Sequence, residues 1–400
     1  MSDLLVIADP EPAADSAGLA MGPSHVPGPR LVEQIGRGVR WVCRAVASAS
    51  DWFFGAIALT IGLSVLAAVP VAQLLCFGYL LEAGGRVART GRLRDGLIGV
   101  RKASRLGSMV IGAGLFLLPL QIASGVATSA ELIDPGGING RLWRVGMVVL
   151  TSLVVLQVIG ACARGGRIRH FLLPFGNPFW IVRRVRRGGA YAAARDSVYD
   201  FAASLRLPYY FRLGLLGFVG TMVWISVPVG LLAAGRRFPL VGFLGALLLG
   251  VIVMRLPFLQ AGFAADGRFR TLFAWKEARL RFGRAPWAFA FALLLTLVFA
   301  LPLYLLKIEM IPRETAWLPS LVFLAFIYPA RVLTGWAYGR SLRREPRRHW
   351  FFRWTGRLAM LPVAAFYVFV VFLSQYTAWR GIWSLYEQQA FLLPVPFLGM

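Results

Sequence analysis

Cysteine, histidine, lysine and acid are all scarce in this chain of 400 residues, and each scarcity closes off a class of chemistry. The three cysteines, Cys43, Cys76 and Cys162, stand far apart and form no metal or redox spacing, so no disulfide framework is expected. Cys76 and Cys162 fall in or near apolar runs, where a free thiol packs as a small hydrophobe. His25, His170 and His349 have no carboxylate or cysteine at ligand spacing, which argues against a metal site. Lysine occurs only as Lys102, Lys276 and Lys307. The other cations are arginines, a bias that coding in a GC-rich genome would explain. There is no Gly-rich phosphate loop with its lysine, no Asp-rich pair, no metalloprotease helix and no Gly-x-Ser-x-Gly elbow. These absences argue against an ATP-driven pump core and against catalysis, and no cofactor is expected. Asp3, Pro10 and Pro12 do not suit a secretory signal peptide, and none is expected at the N-terminus.

What the chain has is apolar length. It is 58% hydrophobic and 15% charged, against about 45–50% and about 25% in soluble domains. The apolar residues are gathered in blocks of roughly 20, enough for a helix to cross about 30 Å of hydrocarbon. The reading is an all-α, polytopic transmembrane helix bundle with spans at 53–81, 106–127, 145–163, 213–234, 238–261, 286–306, 316–338 and 358–378. Trp52, Trp143, Trp287, Trp317, Trp354 and Trp379 mark span ends, as headgroup-level aromatics do. Residues 1–29 read as a disordered tail, 30–51 as an amphipathic interfacial helix, 52–380 as the transmembrane domain and 381–400 as a C-terminal tail. In the second of these, Leu31, Ile35, Val39, Val42 and Val46 share one helix face while Arg37, Arg40 and Arg44 share the other.

The net charge of +25 would suggest nucleic acid in a soluble protein. Here the cations lie between apolar blocks, where anionic headgroups and the positive-inside rule account for them, so no nucleic-acid partner is expected. Segments 82–105, 164–212, 262–285 and 339–357 hold 7, 10, 6 and 7 Lys and Arg; the alternate connections hold 2, 2 and 2, and the tail after 378 holds 1. The four basic loops then face the cytoplasm, and eight crossings place both termini outside. The arginines around 31–46 would sit better inside, which would make 53–81, with Pro70 in it, a re-entrant hairpin instead.

The same alternation suggests four repeated helical hairpins. Pro119, Pro228 and Pro302 lie deep in three returning spans, and Pro70, Pro257 and Pro329 in three outgoing ones. Such prolines are tolerated where neighbouring helices re-satisfy the backbone. In the loops, Phe269, Leu272, Phe273 and Leu280 would line one side of a short helix bearing Lys276, Glu277 and Arg281; Tyr191, Ala194, Val198, Phe201 and Leu205 do the same in the longest loop. The stretch Gly78-Tyr79-Leu80-Leu81-Glu82-Ala83-Gly84-Gly85-Arg86-Val87-Ala88-Arg89 resembles the end of the first span in uncharacterised bacterial polytopic inner-membrane proteins of the domain-of-unknown-function class. Phe269 to Pro286 is similar to their amphipathic lead-in helices. This resemblance implies a multi-pass bacterial inner-membrane protein and transfers no functional residue.

Four intramembrane polar residues stand out. Arg255 lies within the fifth span, two residues before Pro257. It is either an anion or headgroup contact at a broken helix, or an arginine snorkelling to the cytoplasmic surface. Glu82 is either a proton-handling carboxylate or the partner of Arg86 one turn on. Gln73 and Gln260 each stand three residues after a proline, and either line a polar path together or bond between helices. The runs Arg183, Arg184, Arg186, Arg187 and Arg343, Arg344, Arg347, Arg348 are candidate sites for anionic lipid headgroups. Gly214, Gly217 and Gly220 favour close helix approach. The function expected from all this is non-enzymatic binding of anionic membrane lipid or of a partner through the arginine loops. The alternatives are a secondary transporter or channel for a small solute, and a membrane-embedded lipid-modifying enzyme.

Overall fold

The computed structural model describes residues 31–133, 135, 137–171, 176–305, 317–377, 381–389 and 391–394. The expected tail at 1–29 lies outside them. The helices are α1 (Leu31–Ala68), α2 (Ala72–Thr90), α3 (Val100–Ile133), α4 (Ile138–Ala163), α5 (Ile168–Phe171), α6 (Gly176–Arg186), α7 (Ala190–Ser204) and α8 (Leu207–Ala234). They continue with α9 (Pro239–Val253), α10 (Leu256–Asp266), α11 (Trp275–Arg284), α12 (Pro286–Leu305), α13 (Trp317–Leu342), α14 (Trp350–Thr377) and α15 (Ser384–Glu387). Among the described residues there is no strand. The chain divides after Ser50 into two units, and the packing described below belongs to the second.

Seven stretches are long and apolar enough to cross a membrane: Arg44–Ala68, Val100–Ile133, Ile138–Ala163, Val198–Ala234, Pro239–Asp266, Pro319–Leu342 and Trp350–Tyr376. An eighth is the bent pair of α11 and α12, which meet at 108°. Large apolar side chains stay exposed on α3 and α4, among them Val110, Leu118, Ile122, Val148 and Leu153. Such faces are stable only against hydrocarbon. The protein is a multi-pass helical membrane protein.

The expected span 53–81 is not one helix. Helix α1 stops at Ala68, and α2 resumes at Ala72 and runs on to Thr90, well past the expected end. Pro70 explains the stop, because it has no N–H to donate and disfavours helical geometry at Val69. The turn leaves Val71 at φ 69°, a left-handed conformation that a β-branched side chain resists. Val71→Gly is therefore expected to raise the thermal unfolding midpoint by removing about 1 kcal/mol of strain. A lower midpoint would mean that Val71 contributes packing instead. The boundary expected at 51/52 lies one residue from the division after Ser50, although helix α1 itself runs unbroken from Leu31 to Ala68.

Helix α2 forms the centre. Cys76 through Gly85, then Val87 and Ala88, are buried, and α2 packs against α8, α10 and α13. Small residues make these crossings possible. A Cβ on Gly78 would lie 1.8 Å from the Tyr210 carbonyl oxygen, and one on Gly214 1.9 Å from that of Leu74. A Cβ on Gly335 of α13 would likewise lie 2.1 Å from the Gly84 carbonyl oxygen. Gly217 receives Leu81 and Phe77, and Gly220 receives Leu272. Close backbone approach of this kind is what holds helices together in lipid, where hydrophobic burial provides no driving force.

The chain end is not a free tail over its described part. Leu385, Phe391, Leu392 and Leu393 are buried in the main core, and the Tyr367 hydroxyl donates to Gln389 Oε1 at 2.7 Å.

Three of the basic loops share one cap. Gly91, Gly166 and Gly267 have positive φ (76°, 63° and 69°), and each is followed by arginine, an apolar residue and arginine: Arg92-Leu93-Arg94, Arg167-Ile168-Arg169 and Arg268-Phe269-Arg270. Arg92 and Arg268 are extended, at φ −102° and −105°. The carbonyls of Arg92, Arg167 and Arg268 accept from the amides of Asp95, His170 and Thr271 at 3.2, 2.8 and 3.0 Å. At Gly339-Arg340 the helix continues instead, to Leu342. The cap also corrects the expected lead-in helix, because Phe269–Phe273 form a separate 3-10 turn and α11 begins only at Trp275.

Candidate functional site

Arg255 sits where α9 gives way to α10, because Pro257 occupies the first turn of α10 and cannot continue the ladder of α9. The break turns the guanidinium toward the start of α11, where it lies 4.3 Å from the Trp275 ring centre. Arg279, one turn along α11, and Arg357 of α14 stand near enough for their charges to act on it. With Met254, Phe258, Phe282, Phe289 and Trp354, the three arginines line a cavity of about 230 Å³. Its walls are otherwise apolar and aromatic, and Arg357 also lies 5.8 Å from the Phe282 ring centre.

A second cavity, of about 340 Å³, opens beside the start of α12 and is lined by Trp287, Phe291, Trp336, Phe352, Arg340, Arg344 and Arg348. Arg340 lies over Trp336 at 5.3 Å and Arg348 over Phe352 at 5.9 Å. Lost hydration, with Arg340 and Arg348 nearby, lowers the pKa of the Arg344 guanidinium. The expected run 343–348 is thus divided. Arg344 and Arg348 enter the cavity, the Arg343 guanidinium occupies the space beside Gly91, and Arg347 lies against Gly283. The ion pairs among the described residues are Arg89–Glu82, Arg144–Glu131, Arg195–Asp196 and Arg281–Glu277. None of the six cavity arginines is in them. Arg183, Arg184 and Arg186 lie in the last turn of α6, with Arg187 next, and all four are exposed.

Glu82 does not pair with Arg86, which is exposed on another face of α2. Its Oε1 accepts from Arg89 Nη2 at 2.5 Å and its Oε2 from the Tyr209 hydroxyl at 2.8 Å. Arg89 Nη1 also donates to the Ala264 carbonyl at 2.8 Å. This arrangement ties α2 to α8 and to the C-terminal end of α10, where a cation is favoured, and it suits a structural role. Arg89 is 42% exposed, so the pair is screened. Glu82→Gln is expected to cost about 1 kcal/mol and to lower the unfolding midpoint by a few degrees. An unchanged midpoint at low salt would show that the pair contributes nothing.

Gln260 bonds to, and Gln73 lines one void with, a residue that the span pattern did not single out. The eight expected spans hold two charged residues, Arg255 and Arg331, and the second is the more deeply buried, at 5% exposure. Arg331 Nη1 donates to Gln260 Oε1, and its guanidinium lies 5.2 Å from the Phe77 ring centre. Gln260 Nε2 donates to Thr221 Oγ1 at 2.6 Å and to the Leu392 carbonyl at 2.9 Å. Gln73 and Arg331 line one small void of about 10 Å³. The signal in the sequence was a lone charge two residues after Pro329, inside the span 316–338.

No family model, curated protein or solved structure matches the chain.

Proposed function

We propose that this is a bacterial inner-membrane protein that binds anionic lipid at an arginine-rich cytoplasmic face and performs no catalysis. The observation that carries this reading is the cavity of Arg255, Arg279 and Arg357, with apolar walls, three cations and, among the described residues, no carboxylate paired to them. An acyl chain suits the walls and a phosphate suits the guanidiniums, since planar forks bind phosphate oxygens two at a time. The second cavity repeats the composition with Arg340, Arg344 and Arg348. The exposed Arg92, Leu93, Arg94 and Arg268, Phe269, Arg270 of the repeated caps support it further, by setting cations and apolar side chains where headgroups meet hydrocarbon.

Native mass spectrometry of the full chain, purified from membranes in mild detergent, tests this. Retained phospholipid with a net negative headgroup is expected, enriched over the membrane from which it came. Retention of zwitterionic lipid in membrane proportion would sink the proposal. The alternative of a small-solute transporter draws on a different observation, the buried Arg331 and its two glutamines.

A further inference from the structure

A guanidinium has no deprotonated form to retreat to near neutral pH, so a buried arginine needs a counter-charge or a full set of acceptors. Arg331 has neither among the described residues. It lies near the middle of the span Pro319–Leu342, at 5% exposure. Its contacts are a neutral amide oxygen, that of Gln260, and the face of Phe77. No carboxylate pairs with it, and its Nε is buried without a partner. Gln73 Oε1 is likewise buried and unpartnered, and the two side chains line the same void of about 10 Å³, together with Cys76, Phe77, Leu393 and Pro394. That is about the room one water needs, and a larger single-atom ion requires the unpartnered Gln73 side chain to shift.

We propose that this void is an intramembrane binding site for a single monovalent inorganic anion of halide size, held by Arg331. A water molecule could satisfy the orphaned Nε but would leave the guanidinium uncompensated. An anion supplies both the acceptor and the charge. The Gln73 amide would turn its Nε2 toward the anion and add a second donor, since its Oε1 has no partner to lose. Gln260 cannot do the same without giving up Thr221 and the Leu392 carbonyl, to which its Nε2 is committed, so it orients Arg331 from the other side. Phe77, Leu80 and Phe323 close the void with apolar walls, which strengthens the charge interaction and disfavours larger, strongly hydrated anions such as sulfate. Nothing in this site draws on the arginines of the lipid cavities.

The test is thermal unfolding of the full chain in a neutral detergent without anionic lipid, at constant ionic strength, with gluconate replaced stepwise by chloride, bromide or sulfate. A ligand that binds only the folded state raises the midpoint with its concentration. Chloride and bromide are expected to raise it in a saturable manner, and sulfate is not. Gln73→Leu is expected to shift half-saturation to about tenfold higher halide, and Arg331→Gln to abolish the halide dependence. Should Arg331→Gln fail to fold, the Gln73→Leu shift and bromide anomalous scattering beside Arg331 in crystals carry the test. Identical midpoints of the wild-type chain in gluconate, chloride and bromide would overturn the proposal and leave the void to water, as would a halide response that Gln73→Leu does not move.

Discussion

Replacing Arg255, Arg279 and Arg357 together by glutamine is expected to weaken association with vesicles containing anionic phospholipid by roughly a hundredfold at low salt. Each arginine near an anionic surface contributes about 1 kcal/mol, and three lost contacts, about 3 kcal/mol, correspond to about a hundredfold in affinity. Glutamine keeps the volume and leaves the apolar walls intact, so the loss reports on charge. The comparison that decides the mechanism is the quadruple replacement of Arg183, Arg184, Arg186 and Arg187, which removes one more charge from an exposed helix end. Those side chains are solvated and screened, so their loss should matter less and should vanish sooner as salt is raised. If the quadruple variant loses more affinity than the triple one, binding is a diffuse surface effect and the cavity has no special part. If both variants still prefer anionic over neutral vesicles as strongly as the wild type, the lipid proposal fails.

Gly214→Ala is expected to deplete folded protein severely. A Cβ there would come 1.9 Å from the Leu74 carbonyl oxygen and 3.0 Å from the Gly78 amide nitrogen. Both are backbone atoms of α2, so no rotamer change can relieve the overlap and the helices must separate. Overpacking of a well-filled core typically costs about 1–3 kcal/mol and more where backbone must move. Here it also opens the contacts of the element on which α8, α10 and α13 all rest. Gly78→Ala, 1.8 Å from the Tyr210 oxygen, should behave the same way. Gly114→Ala and Gly125→Ala are the controls, since nothing lies within 4 Å of either added Cβ. Alanine should stabilise helix α3 there by about 0.5–1 kcal/mol. The readouts are monodispersity on size exclusion and the unfolding midpoint. Normal behaviour of Gly214→Ala would mean that α2 and α8 do not cross as described.

Six of the eight expected spans fall on stretches of crossing length, and 286–306 falls in the bent pair of α11 and α12, because hydrocarbon thickness imposes a length and polarity pattern that needs no knowledge of neighbours. The first did not, although Pro70 was in view. A proline marks where a helix can bend but does not say how far the chain turns. Glu82 was assigned to Arg86 from helical spacing, but three helices meet at that point: Tyr209 donates to Glu82, and Arg89, which also donates to the Ala264 carbonyl, is the cation that pairs with it. The Gly-Arg-apolar-Arg cap was present in the sequence at 91, 166 and 267. Four residues are too few to stand out until the backbone shows the same turn at each.

The sequence by itself determined the class of the molecule, through apolar blocks of crossing length separated by arginine-rich connections. The tertiary structure decided which polar residues meet. Arg255, Arg279 and Arg357 come from separate helices, and only the break at Pro257 and the 108° bend between α11 and α12 bring them to one cavity. Arg331, Gln260 and Gln73 lie on three helices that close glycine crossings press together. Local spacing along a helix reaches one or two turns, whereas these groupings depend on long-range packing, and packing is fixed by shape at crossings that no single segment contains.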